Sequence, residues 1–274
     1  MIFRKLLAAS LPLLFAGSLF SEVLVGTLPG NVTVDNTGQA SYSIPLEVPP
    51  GTAGMEPELS LNYSSRGGNG ILGVGWSLGG LSSITRVGPT LRVDDYRDGV
   101  EYDADDRYAL DGQRLILTSS GAYGADGSQY RTRIESYSKI IAHGSAGSGP
   151  EGFTAYTKAG LQMEYGRNLE SRIVPEGKSD VLIWNLESVT DSSGNFMEYK
   201  FITATSTGEK LLKEIHYTGN GSIVPYNKIV FEYEDRNDDQ ISYSRGSKVV
   251  RTKRLKRIVA STNEGFAWRY EITY

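Results

Sequence analysis

Residues 66–80 read RGGNGILGVGWSLGG, and the six residues from Gly68 to Gly73 match G-x-G-x-x-G through Gly68, Gly70 and Gly73. A dinucleotide-binding loop of that pattern needs a strand before it and a helix after it, so that helix-terminal N–H groups face the pyrophosphate. A strand does precede, in ELSLNYSS (58–65), where Leu59, Leu61 and Tyr63 alternate. The chain continues as VGWSLGGLSSITRVG (74–88), in which Gly75, Gly79, Gly80 and the β-branched Ile84 and Thr85 oppose a helix. Asp94 and Asp95 fall near the place for a ribose-binding acid, but only after a further strand and Pro89. With no βαβ rhythm elsewhere, nucleotide binding is rejected and no cofactor is expected. The glycines predict instead a close crossing between strands, with Trp76 anchoring the turn against the core.

The same reading extends along the chain. No amphipathic helix stands out after Val23, and short alternating segments are separated by Gly, Pro, Asn and Asp, the pattern of an all-β protein. SYSIPLEV (41–48) stops at Pro49-Pro50-Gly51, and SITRVG (83–88) and TLRVDD (90–95) continue as strands around Pro89. In DDRYALDGQRLILTSSG (105–121), Asp111-Gly112 predicts a hairpin with Tyr108 and Leu110 on one strand and Leu115 and Leu117 on the other. YRTRIESYSKIIAHG (130–144) reads as one strand with a bend, and GSAGSGPEG (144–152) as a flexible loop. FTAYTKAGLQMEYG (153–166) reads as a hairpin turning at Lys158-Ala159-Gly160. In the last third, VLIWNLESVTDSSGNFMEYKF (181–201) is a hairpin, and KLLKEIHYTGNG (210–221) has a cousin in KRLKRIVASTNEG (253–265). Leu212 and Ile215 correspond to Leu255 and Ile258, and each copy runs into a Tyr-rich strand, NKIVFEYED or FAWRYEITY. Two copies suggest hairpins added one after another to a growing sheet. The chain ends at Ile272-Thr273-Tyr274 in mid-strand, which points to a piece of a longer protein or an edge met by a partner.

Composition narrows the function classes. The 274 residues carry a net charge of −4 and mixed acids and bases, unlike the basic footprint of a nucleic-acid binder. The cationic run KVVRTKRLKR (248–257) alternates with apolar residues and reads as a strand with one solvated face. Cysteine is absent, which removes disulfides and thiolate metal ligands. The start, MIFRKLLAASLPLLFAGS, has basic Arg4 and Lys5, an apolar run from Leu6 to Phe15, and small Ala16 and Ser18. It reads as a secretory signal (1–18) cleaved after Ser18, leaving a soluble, exported chain (19–274) without a membrane span.

Catalytic constellations are sparse. His143, beside the glycine-rich loop, and His216, alternating within a strand, are the two histidines, too few for a zinc site by themselves. They read as ordinary hydrogen-bonded side chains. The acidic cluster Asp94, Asp95, Asp98, Glu101, Asp103, Asp105 and Asp106 could supply a carboxylate pair or a calcium loop. Its spacing does not match D-x-[DN]-x-[DN]-G with a closing Glu, so solvated turn acids are expected.

Several long strings, taken together, resemble a known family. GQASYSIPLEVPPGTAGMEPELSLNYSSRGGNGILGVGWSLGGLSSITR is followed in order by DDRYALDGQRLIL, YRTRIESYSKIIAHG, GPEGFTAYTKAGLQMEYG and WNLESVTDSSGNFMEYKF. From about Gly38 to Tyr274 the series resembles the SpvB family. That family is named from the virulence plasmid B protein of Salmonella, and its domain also opens the B component of insecticidal Tc toxin complexes. It occurs too in exported proteins with Rhs/YD repeats. The resemblance implies an all-β scaffold of antiparallel hairpins and meanders forming a large curved sheet, part of an Rhs-like β-shell that encloses a toxin segment. It implies YD-repeat-like hairpins over about 181–274, and as partners other toxin-complex or Rhs-repeat segments on the same or a separate chain. In the family's namesake a separate C-terminal domain carries ADP-ribosyltransferase activity, and no counterpart is seen in this chain. The matched motifs are structural, so no catalytic, cofactor-binding or metal-ligating residue is assigned. The chain departs from toxin-complex B components in its signal segment, which those generally lack. Two other functions compete with the scaffold: a carbohydrate- or surface-binding β-domain presenting Trp76, Trp184 and Trp268, and a hydrolase built on the acidic cluster.

Overall fold

The computed structural model describes residues 30–204, 209–244 and 247–274. The expected signal segment lies outside these residues. Nearly all of the regular secondary structure among the described residues is antiparallel β, as the alternation predicts.

Strands β1 (Asn31–Val34), β2 (Ala40–Pro45) and β3 (Ser60–Ser64) run consecutively. The short β4 (Asn69–Gly70) and β5 (Gly73–Val74) pair with each other, and β6 (Trp76–Gly79) completes a four-stranded sheet beside β3. No helix begins at Gly73. Next come β7 (Ser83–Val87), β8 (Arg107–Leu110), β9 (Gln113–Leu117) and β10 (Gln129–Thr132). They are followed by β11 (Lys139–His143), β12 (Gly152–Tyr156) and β13 (Gln162–Tyr165), each paired with the one before. After the two-residue β14 (Arg172–Ile173), β15 (Ile183–Thr190) joins both ends of this run: Thr85 opposes Ile183, and Met163 opposes Val189. Eight strands, β7 to β13 and β15, thus close into a ring. The sheet then leaves the ring through β16 (Asn195–Thr203), β17 (Lys210–Asn220), β18 (Asn227–Ser244), β19 (Ser247–Thr262) and β20 (Gly265–Glu271). The expected curved sheet is present, and its curvature goes as far as closure.

Alternation places one face of each ring strand inside. Ile84, Tyr108, Leu115, Tyr130, Ile140, Phe153 and Trp184 are fully buried there. Edge-to-face contacts join Tyr108 to Phe153 (5.4 Å) and to Trp184 (5.4 Å). In the meander, Leu212, Ile215, Leu255 and Ile258 are all buried, so the corresponding positions of the two sequence copies do the same packing. The N-terminal sheet lies on that face through Leu46, Leu59 and Leu72. Polar ties fix it there: Tyr217 donates to Pro49 O (2.8 Å), Asn227 to Pro50 O (3.1 Å), and Glu47 N donates to the Tyr270 hydroxyl (2.7 Å).

The hairpin at Asp111-Gly112 forms with both residues at positive φ (47° and 79°), and the turn at Lys158–Gly160 is also present. Three local expectations are corrected. TLRVDD does not continue as strand: Leu91–Asp94 is a short helix, its Asp94 carboxylate accepting from Thr90 N (2.8 Å) and Asp95 ending it at φ 64°. YRTRIESYSKIIAHG is not one bent strand but β10 and β11, with Tyr130 opposite Ile140. The turn between them is drawn in by Thr132 Oγ1, which donates to Ile134 O (2.7 Å). NKIVFEYED is only the first half of β18, which runs on through a bulge at Asp235–Gln240. Among the described residues no helix is long and apolar enough to cross a membrane.

Candidate functional site

The ring has two unlike ends. At one, long loops cover Arg86, whose guanidinium is completely buried. Its Nη1 donates to Asp106 (3.0 Å) and its Nε to Val181 O (2.9 Å), while Nη2 makes no hydrogen bond and lies 3.8 Å from Asp180. The cation also faces the rings of Tyr102, Tyr108 and Trp184 at 5.6, 5.7 and 6.0 Å, where ring quadrupoles favour it. The Asp106 carboxylate accepts in addition from Tyr102 N (2.8 Å) and Glu101 N (3.2 Å). The loop read as flexible is pinned over this group. Ser148 N donates to Asp180, and Trp184 Nε1 donates to the carbonyls of Pro150 and Glu151, both at 3.2 Å. A Cβ at Gly149 would lie 2.5 Å from Arg86 Nη2.

The acidic cluster divides rather than converging. Asp106 belongs to the buried pair above, and Asp94 binds Arg107 (3.0 Å) and Arg114 (2.6 Å). Burial alone would raise the Asp94 pKa, but the Thr90 N–H, then Arg114 and Arg107, outweigh it and hold the carboxyl below its usual range. Asp103 caps the Asp105 N–H (2.9 Å). Among the described residues no three His, Asp or Glu side chains are grouped to hold a metal ion. Each histidine is half-buried and hydrogen-bonded, His143 to Thr154 Oγ1 (2.7 Å) and His216 to Glu214 (2.7 Å). Burial, followed by Arg167, lowers the His143 pKa and keeps that ring neutral. Thr154 in turn donates to Glu164 (2.8 Å) and is itself buried, so this chain of bonds offers no nucleophile to a substrate.

The three tryptophans do not share a surface. Trp184 is wholly buried, Trp268 is 37% exposed on β20, and Trp76 is half-buried between Tyr42 and Tyr63. They cannot form one sugar platform.

The glycine stretch acts as a clasp. A Cβ at Gly67 would lie 2.8 Å from the Gly75 Cα, so the two backbones approach as only glycine permits. The β4–β5 hairpin then docks on the β18 bulge. Arg236, nearly buried, donates to Gly70 O (2.7 Å) and to Asn69 Oδ1 (2.6 Å), and Asn69 Nδ2 donates to Asp238 (3.0 Å). Leu255 N donates to Ile71 O (2.8 Å), extending the clasp into β19. Sequence reading missed Arg86, Asp180 and Arg236. For Arg86 a signal existed, because alternation in SITRV puts it on the same face as Ile84. Nothing in RNDDQ announced that Arg236 would face a glycine hairpin far away in the chain.

Comparison with known proteins agrees with this architecture. The family described as Salmonella virulence plasmid 65kDa B protein, SpvB, matches residues 34–222. The mono(ADP-ribosyl)transferase SpvB of Salmonella typhimurium is 28% identical over 184 residues, covering 60% of this chain and 30% of the relative. The protein of the same name from Salmonella dublin gives the same figures. The chain thus matches less than a third of the length of these relatives. The N-terminal domain of effector protein SpvB from Salmonella typhimurium superposes with a TM-score of 0.66 at 18% identity, covering 84% of this chain and 98% of that domain. A TcdB2–TccC3 complex gives a TM-score of 0.69 at 18% identity, over 88% of this chain and 14% of the other. At these identities the structural likeness is one of fold.

Proposed function

The chain belongs to the SpvB family, and from that premise we propose that it is a non-enzymatic scaffold domain of a secreted virulence or Rhs-type protein. It contributes sheet to a β-shell that holds or delivers a toxin segment. The observation that carries the reading is how the sheet grows. It leaves the ring at β15, adds hairpins to β20, and is stiffened by the N-terminal sheet and the glycine clasp. Among the described residues β20 is paired on one side only, by β19, and bears the exposed Phe266. An edge of that kind invites a further strand.

The non-enzymatic part is supported by the chemistry of the charged groups. Arg86, Asp106, Asp94 and the histidines are tied into internal bonds rather than arranged about an open cleft. Export through residues 1–18 and YD-repeat character over 181–274 belong to the same proposal. Composition of the N-terminus supports the first, and the equivalent burial of Leu212 with Leu255 and Ile215 with Ile258 supports the second.

The test is coexpression of the chain with a toxin-complex C-type component and its payload, followed by sizing and protease challenge. A joint assembly in which the payload resists protease is the expected result. A stable monomer that hydrolyses a substrate, or transfers ADP-ribose from NAD, would overturn the proposal.

A further inference from the structure

The end of the ring opposite Arg86 is built of short turns and opens into a cavity of about 410 Å³. Its floor is set by register: Met163, Val189 and Met197 oppose one another in turn across β13, β15 and β16. Met55, in the turn preceding β3, closes the cavity from the other side, so three of the chain's four methionines line it. The Tyr165 and Tyr199 hydroxyls donate to the sulfurs of Met163 and Met197, both at 3.7 Å. Glu56, Glu58 and Asp191 also line the cavity, no lysine or arginine does, and none of the three carboxylates takes part in an ion pair among the described residues. That sets them apart from Asp94, Asp106 and Glu234, each of which faces an arginine.

We propose that this mouth of the ring binds a long cationic side chain, a lysine or arginine presented by a basic segment of a partner protein. The two halves of such a side chain match the two halves of the cavity. Its methylene stem lies on the methionine floor, where flexible thioethers adapt to an irregular apolar shape, and its charged head reaches the carboxylates at the rim. Glu56 already accepts from Gly51 N and Asp191 from its own turn. A neutral apolar ligand would nevertheless desolvate the three carboxylates with no opposite charge to offset the loss, and an anion would be repelled. The Asp191 carboxyl is held below its usual range by the Asn195 side chain and by the Asn195, Ser193 and Gly194 N–H groups, against the opposing effect of burial, so it is ionised at neutral pH. β-Barrel mouths of this size are a recurrent place for ligands. The site stands independently of the scaffold reading, since it requires only the ring and the turn at Met55.

The test is a titration of the purified chain with the capped peptide Gly-Leu-Arg-Leu-Gly, followed by methyl chemical shifts of Met55, Met163 and Met197. A second peptide carries citrulline, the uncharged isostere, in place of arginine. Saturable shifts at the three methyls are expected, with affinity falling about tenfold for citrulline and about threefold to fivefold for Glu58→Gln. Glu58 is exposed, so its neutral variant keeps the fold. Equal affinity for the citrulline peptide, shifts centred elsewhere, or no saturation at about 5 mM peptide would overturn the proposal.

Discussion

Arg86 shows how far a single residue can bind a barrel together. Its charge is balanced by one strong partner, Asp106, and by three aromatic faces, with no route to water. Replacing Arg86 by Met strands the Asp106 carboxylate, and a loss of about 3–5 kcal/mol in urea unfolding is expected. Adding Asp106→Asn should recover part of it, because the amide removes the buried charge and its oxygen still accepts from Tyr102 N, while the Glu101 N–H, which bonds the other carboxylate oxygen, loses its acceptor. Asp94 has a pH signature. Its folded pKa lies below the unfolded value near 3.8, so its stabilisation is complete above about pH 4 and is lost as pH falls through the folded value. An Asp94→Asn chain should therefore show a shallower acid-induced fall in unfolding midpoint between about pH 4 and pH 2. Gly80 is a third point of control. At φ 86°, a Cβ there would lie 1.8 Å from Glu58 O, and Gly80→Ala should cost about 1–3 kcal/mol in the same unfolding measurement.

At the scale of elements, the glycine hairpin depends on the β18 bulge as much as on its own turn. Arg236→Ala should speed hydrogen exchange of the Asn69–Val74 amides while leaving β8 to β13 protected. Unchanged exchange at the hairpin would mean that Leu255 N and the N-terminal sheet hold it unaided. These elements also show what can be read from sequence. Alternation and turn chemistry are enough for the hairpins at Asp111-Gly112, Lys158–Gly160 and Asp191–Asn195, because each is decided within about a dozen residues. TLRVDD deceives because its helix is set by one carboxylate returning to Thr90 N, a bond that no periodicity records. The polar run in β18 carries no strand signal of its own, because its partner, the glycine hairpin, lies far off in sequence. The glycine motif is legible in its negative sense, as close-packed strand rather than phosphate loop. The acids lining the methionine cavity are not legible, since Glu56 and Glu58 precede β3 and Asp191 follows β15, and only the folded chain brings the two segments to one cavity.

For the whole molecule, β15 belongs to ring and meander together: its first half pairs with β7 and its second with β16, while β13 and β14 flank it as well. Shared in this way, the two parts should unfold as one. The emission of Trp184, fully buried inside the ring, and the far-UV circular dichroism of the whole sheet are expected to change together with denaturant. Two separated transitions would show that the ring stands alone.

That shared strand also sets an order of events in time. β7 cannot find its second neighbour until β15 exists, so Thr85 must wait for Ile183, about a hundred residues later in synthesis. Until then the β7 edge is open, and the hydrophobic face around Ile84 has no wall opposite it. Closure of so distant a pair places the chain among slow folders, with a barrier dominated by loop entropy rather than by local turns. The nascent segment from β7 to β13 is then the interval in which wrong strands can pair, and the emergence of β15 ends it.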